Sequence, residues 1–447
     1  MPTESEVIDI CAGDDVELVR LLWVDNAGVE RGRVVNAANV EDVFASGANI
    51  AQAQQAFTDL DYPTEDAPLG RVGEVRLVPD PDTFRTLPYA ERAAAMMCDI
   101  HRLDRTPWEI DPRSRLRGFL DEFEYRSRAA FEPEWYLVRE TAAGIEPFDR
   151  SGCYTADGIQ SAHDVVLEIV DDLAAQGIEM ATYYPEYSPG QQEIAIEPGD
   201  GLTPADDHAF YKQTVKAVAE NHDTRATFSP KPFPDHAGSG CHLHLSLWNG
   251  EENAFHDPDD ESPYGISETC KRFVGGVLAH ARALVALTAP SVVSYKRLQP
   301  GSWASAYTAW GLDNREAMVR IPSAQWENAA ATTRLELKAA DNTANPYLSL
   351  LGVLAAGRDG IERDLDPGEP LDVDPGSLSE SERERRGIER LPQSLGEAID
   401  ELEADAVLSD AMGDDLHRTY VAVKRATWTD AATAVTDWDV DTYTRLY

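Results

Sequence analysis

Four short segments of the sequence place charged and imidazole side chains at every second position. They read FEPEWYLV from residue 131, QEIAIEP from 192, CHLHLSLW from 241 and TRLELKA from 333. Because side chains on a β-strand alternate between its two faces, residues two apart share a face. The residues that would share a face within each segment are Glu132 and Glu134; Glu193 and Glu197; His242, His244 and Ser246; and Arg334, Glu336 and Lys338.

Alternating polar residues on a single strand usually face water. Two histidines separated by one leucine and preceded by GSG are instead typical of a ligand set, and four such segments together favour a metal site. Several carboxylates in one cavity need protons or divalent cations to neutralise them. Oxygen-rich ligands with one imidazole favour Mg²⁺ or Mn²⁺ over Zn²⁺. Zinc hydrolase chemistry is the weaker alternative, because the sequence has no HExxH motif and no cysteine ligand set.

Arginine is frequent near these segments, at Arg297, Arg315, Arg320 and Arg334. A single arginine in an acidic protein is commonly a surface ion-pair partner. Beside a dication site, however, several guanidinium groups are typical of clamps for phosphates and carboxylates. The sequence contains no GxxxxGK[ST] loop, so a nucleotide must be held by other means. Together these features indicate phosphoryl transfer at a kinase-like or ligase-like site.

The overall charge is strongly negative. The chain of 447 residues has 80 Asp and Glu against 39 Lys and Arg, a formal net charge of −41. Such a surface suits high salt and argues against nucleic acid as a partner. The five cysteines include no CxxC pair, which argues against a disulfide framework. With no signal peptide and no apolar stretch of membrane-spanning length, we expect a cytoplasmic protein with no membrane partner.

The first part of the chain is predicted to form a small α+β domain, residues 1–105. The DNAG sequence at residues 25–28 lies between two apolar runs and predicts a β-hairpin. The stretch from Asn36 to Gly47 then predicts a short capped helix.

Residues 106–447 are predicted to form a second, larger domain with longer helices. One of these is predicted from Ile159 to Gly177, where apolar residues recur at helical spacing. From Asp359 to Pro392 the sequence is acidic and poor in large apolar residues, which predicts a surface segment with little regular structure.

The order of six motifs resembles that of the glutamine synthetase superfamily. The motifs are FEPEW, EYSPGQQE, ATFSPKPFPDHAGSGCHLHLS, YKRLQPGS, NREAMVRIP and TRLELKAADNTANPYL, and the resemblance runs from about residue 16 to the C-terminus. GSGxHxH together with RxExKxxDxxANPYL is highly specific. The resemblance implies an α+β fold, with an N-terminal β-grasp domain and a catalytic domain built on a curved antiparallel sheet flanked by helices. It also implies a homo-oligomer of stacked rings, such as a dodecamer.

The resemblance further implies a role for individual residues. Those that resemble ligands of a first metal are Glu134, Glu186 and Glu193, and those that resemble ligands of a second metal, between the ATP phosphates, are Glu132, His242 and Glu336. Those that resemble the ATP-binding residues are His244, Ser246 and Arg334. Arg315 and Arg320 resemble the residues that face the transferring phosphoryl group. Arg297 and the Gly238 backbone resemble the clamp on the α-carboxylate of glutamate.

Two departures concern the ammonium site of the family. Where the family carries an acidic DGS segment, this sequence reads SGANIAQAQQ, and where it carries a glutamate, PGSWAS places Trp303. A small, strongly hydrated cation needs anionic ligands, whereas an indole suits a larger organic amine through packing and cation–π contact. Lys338 stands where the family usually has arginine near the glutamate carboxylate, and Ala237 where it usually has asparagine, so the acyl substrate could be a glutamate analogue.

We therefore expect an ATP-dependent ligase that uses Mg²⁺ or Mn²⁺. It would form a γ-glutamyl amide from glutamate and an organic amine, such as putrescine or another polyamine or monoamine, through a γ-glutamyl phosphate intermediate. The first alternative is glutamine synthesis from ammonium, which applies if the loop alignment around Trp303 slips. The second is a non-catalytic relative, which the survival of all six candidate metal ligands argues against.

Overall fold

The computed structural model describes residues 2–13, 15–70, 72–142, 144–260, 262 and 264–447. The N-terminal part contains helices α1 (Glu4–Cys11) and α2 (Val40–Ser46) and a sheet of strands β1 (Leu18–Val24), β2 (Glu30–Asn36), β3 (Ala48–Ala51), β4 (Glu74–Pro79), β5 (Arg85–Thr86) and β6 (Ala93–His101). The strand order is β2-β1-β6-β4-β3, with β5 beside β6. The central pair β1–β6 is parallel, and the other pairs described in this sheet are antiparallel.

The predicted hairpin and the short helix after it are both confirmed. Strands β1 and β2 are antiparallel, and the turn between them is closed by the buried side chain of Asp25, which accepts backbone N–H bonds from Ala27 and Val29. The Asn36 side chain then caps a 3₁₀ turn that leads into α2, and Gly47 ends this helix with φ of 67°. Positive φ is readily available to glycine, which explains the stop.

The larger part of the chain is built on a second sheet in the order β15-β16-β17-β13-β7-β10-β9. Its strands, together with shorter ones that pair at the sides of β7 and β13, are β7 (Arg126–Thr141), β8 (Gly144–Pro147), β9 (Met180–Pro185), β10 (Gln191–Ile196), β11 (Gly199–Asp200), β12 (Arg225–Thr227), β13 (Cys241–Asn249), β14 (Glu252–Asn253), β15 (Trp310–Leu312), β16 (Val319–Ile321) and β17 (Leu335–Leu337). Apart from the parallel pair β15–β16, the described pairs are antiparallel. The predicted α+β class with an antiparallel catalytic sheet is confirmed.

The larger part of the chain also contains helices, some of which pack on this sheet. They are α3 (Pro112–Glu122), α4 (Ala156–Ser161), α5 (His163–Ala175), α6 (Thr203–Asn221), α7 (Glu268–Ala279), α8 (Ala281–Thr288), α9 (Ser294–Arg297), α10 (Ala329–Thr332), α11 (Pro346–Glu362), α12 (Glu380–Arg386), α13 (Leu395–Ala404), α14 (Ala406–Met412), α15 (Asp414–Thr433) and α16 (Asp437–Leu446). Helix α11 is almost wholly buried and packs on α7 so closely that a Cβ at Gly276 would lie 2.1 Å from the Ala356 carbonyl oxygen. Among the described residues, none of the helices combines the length and the apolar character needed to cross a membrane.

Two sequence predictions about helices need correction. The predicted helix from Ile159 to Gly177 is two helices, α4 and α5, because the chain leaves helical geometry at Ala162. The predicted irregular segment from Asp359 to Pro392 contains the last turn of α11 and the whole of α12. Helix α12 forms because Ser379 and Glu382 make a reciprocal capping box at its start, a local signal that outweighs the acidic composition.

The N-terminal hairpin is fixed to the loop that precedes α11. Asn345 caps α11 with its side-chain oxygen, and its Nδ2 donates to the backbone oxygen of Asp25 at 3.0 Å. The turn glycine, Gly28, lies so close to this loop that a Cβ there would be 2.2 Å from the Thr343 carbonyl oxygen. On the other side, the buried ammonium of Lys424 donates to the Ala27 carbonyl at 2.9 Å. The N-terminal hairpin is therefore held by the loop before α11 on one side and by α15 on the other.

Candidate active site

The register of the second sheet brings the four alternating segments side by side. Residues that pair directly across neighbouring strands are Glu132 with His242, Glu134 with Glu193, and His244 with Glu336. Side chains of directly paired residues lie on the same face of a sheet. The acidic and imidazole side chains of β7, β10, β13 and β17 therefore converge on one face.

One compact cluster consists of Glu132, His242 and Glu336, which the sequence resemblance assigned to the second metal. One ligand atom from each lies within 4.8 Å of the others. His242 Nδ1 is 3.2 Å from Glu132 Oε2 and 3.4 Å from Glu336 Oε1. The imidazole thus lies between two carboxylates that come from strands on either side of β13.

A second compact cluster consists of Glu134, Glu193 and, again, His242, whose ligand atoms also lie within 4.8 Å of one another. Here the other ring nitrogen is used, since His242 Nε2 is 3.6 Å from Glu134 Oε1. The two clusters are therefore adjacent and share one imidazole ring. This sharing was not predicted from the sequence.

Glu186, assigned by resemblance to the first metal, lies next to this second cluster but outside its compact set. It directly follows β9, and its backbone N–H donates to the Gln191 carbonyl at 2.9 Å. Its carboxylate accepts the backbone N–H of Tyr187 at 2.7 Å. The negative charge of Glu134 contributes to raising its pKa.

The Glu193 end of the site has an excess of negative charge. Burial, followed by the charges of Glu132, Glu134 and Glu186, raises the pKa of Glu193 well above its usual range. Burial and the charge of Glu134 raise the pKa of Glu186 to about 7. Carboxyl groups with raised pKa values take up protons unless another cation is supplied.

The Glu336 end is neutralised by cationic side chains instead. Although burial acts to raise it, the charges of Lys338 and His242 lower the pKa of Glu336 to about 2. Burial also acts to raise the pKa of Glu132. Interactions with His244 and His242 outweigh it and lower this pKa well below the usual range. The charge on the site is therefore uneven from one end to the other.

This donor set fits a pair of hard divalent cations. It offers carboxylate oxygens with one shared imidazole, which are ligands that suit Mg²⁺ or Mn²⁺. The raised pKa values of Glu186 and Glu193 indicate that positive charge is lacking at their end, which a dication would supply.

The two arginines assigned to phosphoryl transfer have different surroundings: Arg320 is bonded to carboxylates, and Arg315 is exposed. Arg320 Nη1 donates to Glu336 Oε2 at 2.8 Å, and its Nη2 donates to Asp313 at 3.2 Å. Both carboxylates outweigh burial and raise the pKa of the Arg320 guanidinium. Arg315 is exposed, and no hydrogen bond or ion pair joins it to the described residues, although its charge acts on Tyr154.

Arg297, assigned to the substrate carboxylate, is buried and close to two glycines. Its guanidinium donates to the backbone oxygens of Ala340 at 3.0 Å and Lys338 at 3.3 Å. A Cβ at Gly238 would lie 2.6 Å from Arg297 Cγ, and one at Gly240 would lie 2.4 Å from its Nη2. The GSG sequence before β13 thus makes room for this arginine.

The residues assigned to ATP form a chain along the same face. Arg334 Nε donates to His244 Nδ1 at 3.1 Å, and His244 Nε2 lies 3.2 Å from Glu132 Oε2. Ser246, two residues further along β13, accepts a bond from the indole N–H of Trp248 at 3.0 Å. Burial lowers the pKa of the Arg334 guanidinium despite nearby carboxylates.

Trp303 lies exposed beside another exposed aromatic side chain. Its ring centroid is 6.3 Å from that of Tyr187, and 62% of its surface is accessible. Its backbone has φ of 58°, which is rare for a bulky residue. The backbone N–H of Trp303 donates to Glu316 Oε1 at 3.1 Å. Tyr187 directly follows Glu186, whose carboxylate accepts its backbone N–H, so the aromatic pair is joined to the acidic site through the backbone of Tyr187.

Sequence reasoning missed three polar residues that hold these glutamates in place, two of them through the carboxylate and Asn342 through the backbone of Glu134. Tyr184 donates its hydroxyl to Glu193, with which it is paired across β9 and β10. Gln191 Nε2 donates to Glu134 Oε2 at 3.3 Å, and Asn342 Nδ2 donates to the Glu134 carbonyl at 2.9 Å. Gln191 lies in the EYSPGQQE motif, and Tyr184 lies two residues before it. The alternation of side chains along the two strands, extended to both sides of the turn between them, is the sequence signal that could have identified both residues.

Comparison with known proteins covers nearly the whole chain. A family model described as "Glutamine synthetase N-terminal domain" matches residues 2–108, and one described as "Glutamine synthetase, catalytic domain" matches residues 109–443. A "Glutamine synthetase" of Methanocaldococcus jannaschii is 36% identical over 454 residues, covering 98% of this chain and 97% of the relative. One of Halobacterium salinarum is 36% identical over 452 residues, covering 98% and 96%.

Solved structures are similar over the same span. One described as "GmaS/ADP complex-Conformation 1" superposes with a TM-score of 0.86 at 33% identity, covering 98% of this chain and 99% of that one. Another, described as "Crystal structure of novel glutamine synthase homolog", gives a TM-score of 0.83 at 33% identity, covering 97% and 99%.

Proposed function

The chain belongs to the glutamine synthetase family, whose members are ATP-dependent carbon–nitrogen ligases, and we propose that this member joins the γ-carboxylate of glutamate to an organic amine. The amine would be a monoamine or polyamine rather than ammonium. The reaction would pass through γ-glutamyl phosphate, because a carboxylate is a poor acyl donor until one of its oxygens becomes part of a phosphate leaving group.

The aromatic pair Trp303–Tyr187 is the observation that carries this choice of amine. Two exposed rings have centroids 6.3 Å apart, and the backbone N–H of Tyr187 is bonded to the Glu186 carboxylate of the acidic site. Such rings bind alkyl groups and attract organic cations, whereas ammonium is small and strongly hydrated and gains little from them. The left-handed backbone of Trp303 is also costly for a bulky residue and is therefore typical of a functional position.

The residues of the two clusters would hold the metal ions. Glu132, Glu134, Glu193, His242 and Glu336 offer the ligand atoms, with Glu186 beside them. Bound Mg²⁺ or Mn²⁺ offsets the charge of the phosphates during phosphoryl transfer. The similar structure described as "GmaS/ADP complex-Conformation 1" contains ADP, which supports an adenine nucleotide as the second substrate.

The arginines would contribute fixed positive charge. Arg320 is held by Glu336 and Asp313, so its guanidinium is already oriented before a phosphate arrives. A preorganised charge of this kind stabilises developing negative charge without reorganisation. Arg334 and His244 are hydrogen-bonded to each other and would bind the nucleotide, and Arg297 would bind the α-carboxylate of glutamate.

An amine panel tests the proposal. Phosphate release in high salt with ATP, glutamate and Mg²⁺ should be measured with ammonium, ethanolamine, putrescine, spermidine and aniline. We expect an organic amine to give the highest kcat/KM, and ammonium as the best substrate by far would refute the proposal. Trp303→Ala should lower kcat/KM for the organic amine selectively. The matched control is Trp438→Ala, which removes an indole of similar exposure, 65%, from helix α16.

Glutamine synthesis is the second candidate, favoured by the name "Glutamine synthetase" of the curated relatives. The same panel decides between the two, because they predict opposite preferences for ammonium. A third candidate, a relative without turnover, would be supported if no amine led to metal-dependent ATP consumption. The closeness of the six acidic and imidazole side chains favours a working site.

Three wider properties complete the proposal. The net charge of −41 leads us to expect that folding and activity need high salt. All five cysteines are free, which suits the reducing cytoplasm. We expect a homo-oligomer of stacked rings, such as a dodecamer, which light scattering coupled to size-exclusion chromatography would measure.

A further inference from the structure

Lys338 is a buried lysine whose ammonium lies against the ligand atoms of both clusters. Its Nζ is 3.4 Å from His242 Nε2 and 3.4 Å from Glu336 Oε1, and the residue is only 4% exposed. Among the described residues, these two are its side-chain hydrogen-bond partners. The ammonium is therefore a counter-ion placed inside the candidate metal site.

The backbone of Lys338 is held by hydrogen bonds that do not involve its ammonium. The backbone N–H donates to the Met318 carbonyl at 2.9 Å, and the carbonyl accepts Arg297 Nη2 at 3.3 Å. A lysine stem has four carbons and a compact charge that needs no fixed orientation. A change of partner by the ammonium therefore requires no movement of the sheet.

A divalent cation and the ammonium compete for His242. A neutral imidazole carries one N–H, so if Nε2 accepts from Lys338 the proton is on Nδ1. A cation bound at Nε2 would take the lone pair that the ammonium uses. A cation bound at Nδ1 would require the imidazole proton to be on Nε2. That N–H and the ammonium are both hydrogen-bond donors, so they could not bond to each other. Metal binding at either nitrogen therefore ends the contact between Lys338 and His242.

Once displaced, the ammonium needs another anionic partner, because an unpaired charge in a buried cavity is costly. Burial raises the pKa values of Glu186 and Glu316, and the charge of Lys338 opposes this at both. The carboxylate of an acyl substrate that binds beside the metal site would supply that partner.

We infer that Lys338 exchanges partners during the reaction cycle: in the metal-free protein its ammonium pairs with Glu336 and His242, and metal loading releases it to bind the carboxylate of the acyl substrate. The inference rests on the proposed function, since glutamate supplies that carboxylate. It assigns Lys338 as the residue that couples metal binding to acyl-substrate binding. Reciprocity then requires each ligand to tighten the binding of the other.

The test is the affinity of the metal-free, full-length protein for Mn²⁺, measured by electron paramagnetic resonance without nucleotide or acyl substrate. Lys338→Met keeps the side-chain length and removes the competing charge. We expect it to bind Mn²⁺ about tenfold more tightly than the wild type, a difference of ~1.4 kcal/mol. Lys338→Gln, which keeps a polar end group, should shift the affinity in the same direction and serves if the methionine variant folds poorly.

The matched control is Lys296→Met. Lys296 is an exposed lysine next to Arg297 on α9, so its removal changes the net charge equally without touching the site. We expect its Mn²⁺ affinity to stay within about twofold of the wild type, because exposed charges are screened at high salt. An equal tightening in the control, or unchanged or weaker Mn²⁺ binding in both Lys338 variants, would overturn the inference.

A second measurement follows the acyl substrate. By calorimetry, saturating Mn²⁺ should tighten glutamate binding to the wild type, and this effect should be lost in Lys338→Met. A wild type that binds no Mn²⁺ at all would instead remove the metal site and with it the proposed function. If the wild type binds Mn²⁺ normally and the Lys338 variants bind it no differently, only the partner exchange by Lys338 is refuted. The identity of the amine affects neither result.

Discussion

Replacing Glu193 by glutamine should stabilise the metal-free protein and at the same time abolish its stabilisation by metal. The residue is buried on β10, and its neighbours Glu132, Glu134 and Glu186 carry like charge. Glutamine has the same shape, accepts the hydroxyl bond from Tyr184 as well, and removes the repulsion. A catalytic site that is costly in its unloaded state should behave in this way.

The size of the effect follows from the distances in the cluster. Two like charges about 5 Å apart repel by about 3 kcal/mol at an effective dielectric constant of about 20. Protonation limits this cost, because holding a carboxyl group of ordinary pKa in its neutral form near pH 7 costs about 3 kcal/mol. The Glu193→Gln variant should therefore be ~2–3 kcal/mol more stable than the wild type near pH 7. Near pH 5 the difference should fall below about 1 kcal/mol.

The assay is urea unfolding in high KCl with a chelator, repeated with saturating Mg²⁺. Metal that binds only the folded state adds stability by mass action, so the wild type should gain and the variant should not. Glu197→Gln is the control, because Glu197 follows the same strand but is exposed to solvent. If the Glu193 variant is no more stable than the wild type near pH 7 without metal, or if the control gains equally, the account of the cluster is wrong.

Three further predictions test other parts of the structure. Glu336→Ala should reduce phosphoryl transfer by at least about 10³-fold with an unchanged circular dichroism spectrum, since it removes the carboxylate that contacts His242 and orients Arg320; unchanged activity would remove Glu336 from the site. The free energy of unfolding of the metal-free wild type should fall as the pH rises from 4.5 to about 7, because the raised pKa of Glu186 means that the folded state binds the extra proton; a flat profile in urea titrations would contradict this. Gly28→Ala should cost at least about 2 kcal/mol in the same titrations, because its φ is 89° and its Cβ would lie 2.2 Å from the Thr343 carbonyl oxygen; Gly250→Ala, with φ of 62° but open space around it, isolates the backbone contribution.

Much of the site is encoded in local patterns that the sequence displays directly. The alternation around His242 and Glu336 sets which side chains share a face, and a strand allows little else once its buried face is apolar. The turn at residues 25–28 is visible because glycine and aspartate have specific roles in turns. The capping box of α12 was equally local but was outweighed by composition in the prediction.

What the sequence could not provide depends on distances between segments. Nothing in the spacing of residues indicates that the two nitrogens of His242 face different carboxylate pairs. The position of Lys338 Nζ likewise depends on the rotamer that the cavity allows. Ala162 ends α4 for reasons that residue type does not reveal, since alanine is a good helix former. These features arise from packing, which a single sequence does not display.

The uneven charge of the site determines the order in which divalent cations should occupy its two ends. At the Glu336 end, Lys338 and Arg320 already provide positive charge, so a cation that enters there displaces an existing partner. At the Glu193 end no cationic side chain is hydrogen-bonded to Glu193 among the described residues, and burial with the charges of Glu132, Glu134 and Glu186 raises its pKa. A dication therefore gains more at the Glu193 end and should occupy it first. The Glu336 end should fill only when phosphate groups add negative charge beside it, which makes occupancy of the second position depend on the nucleotide.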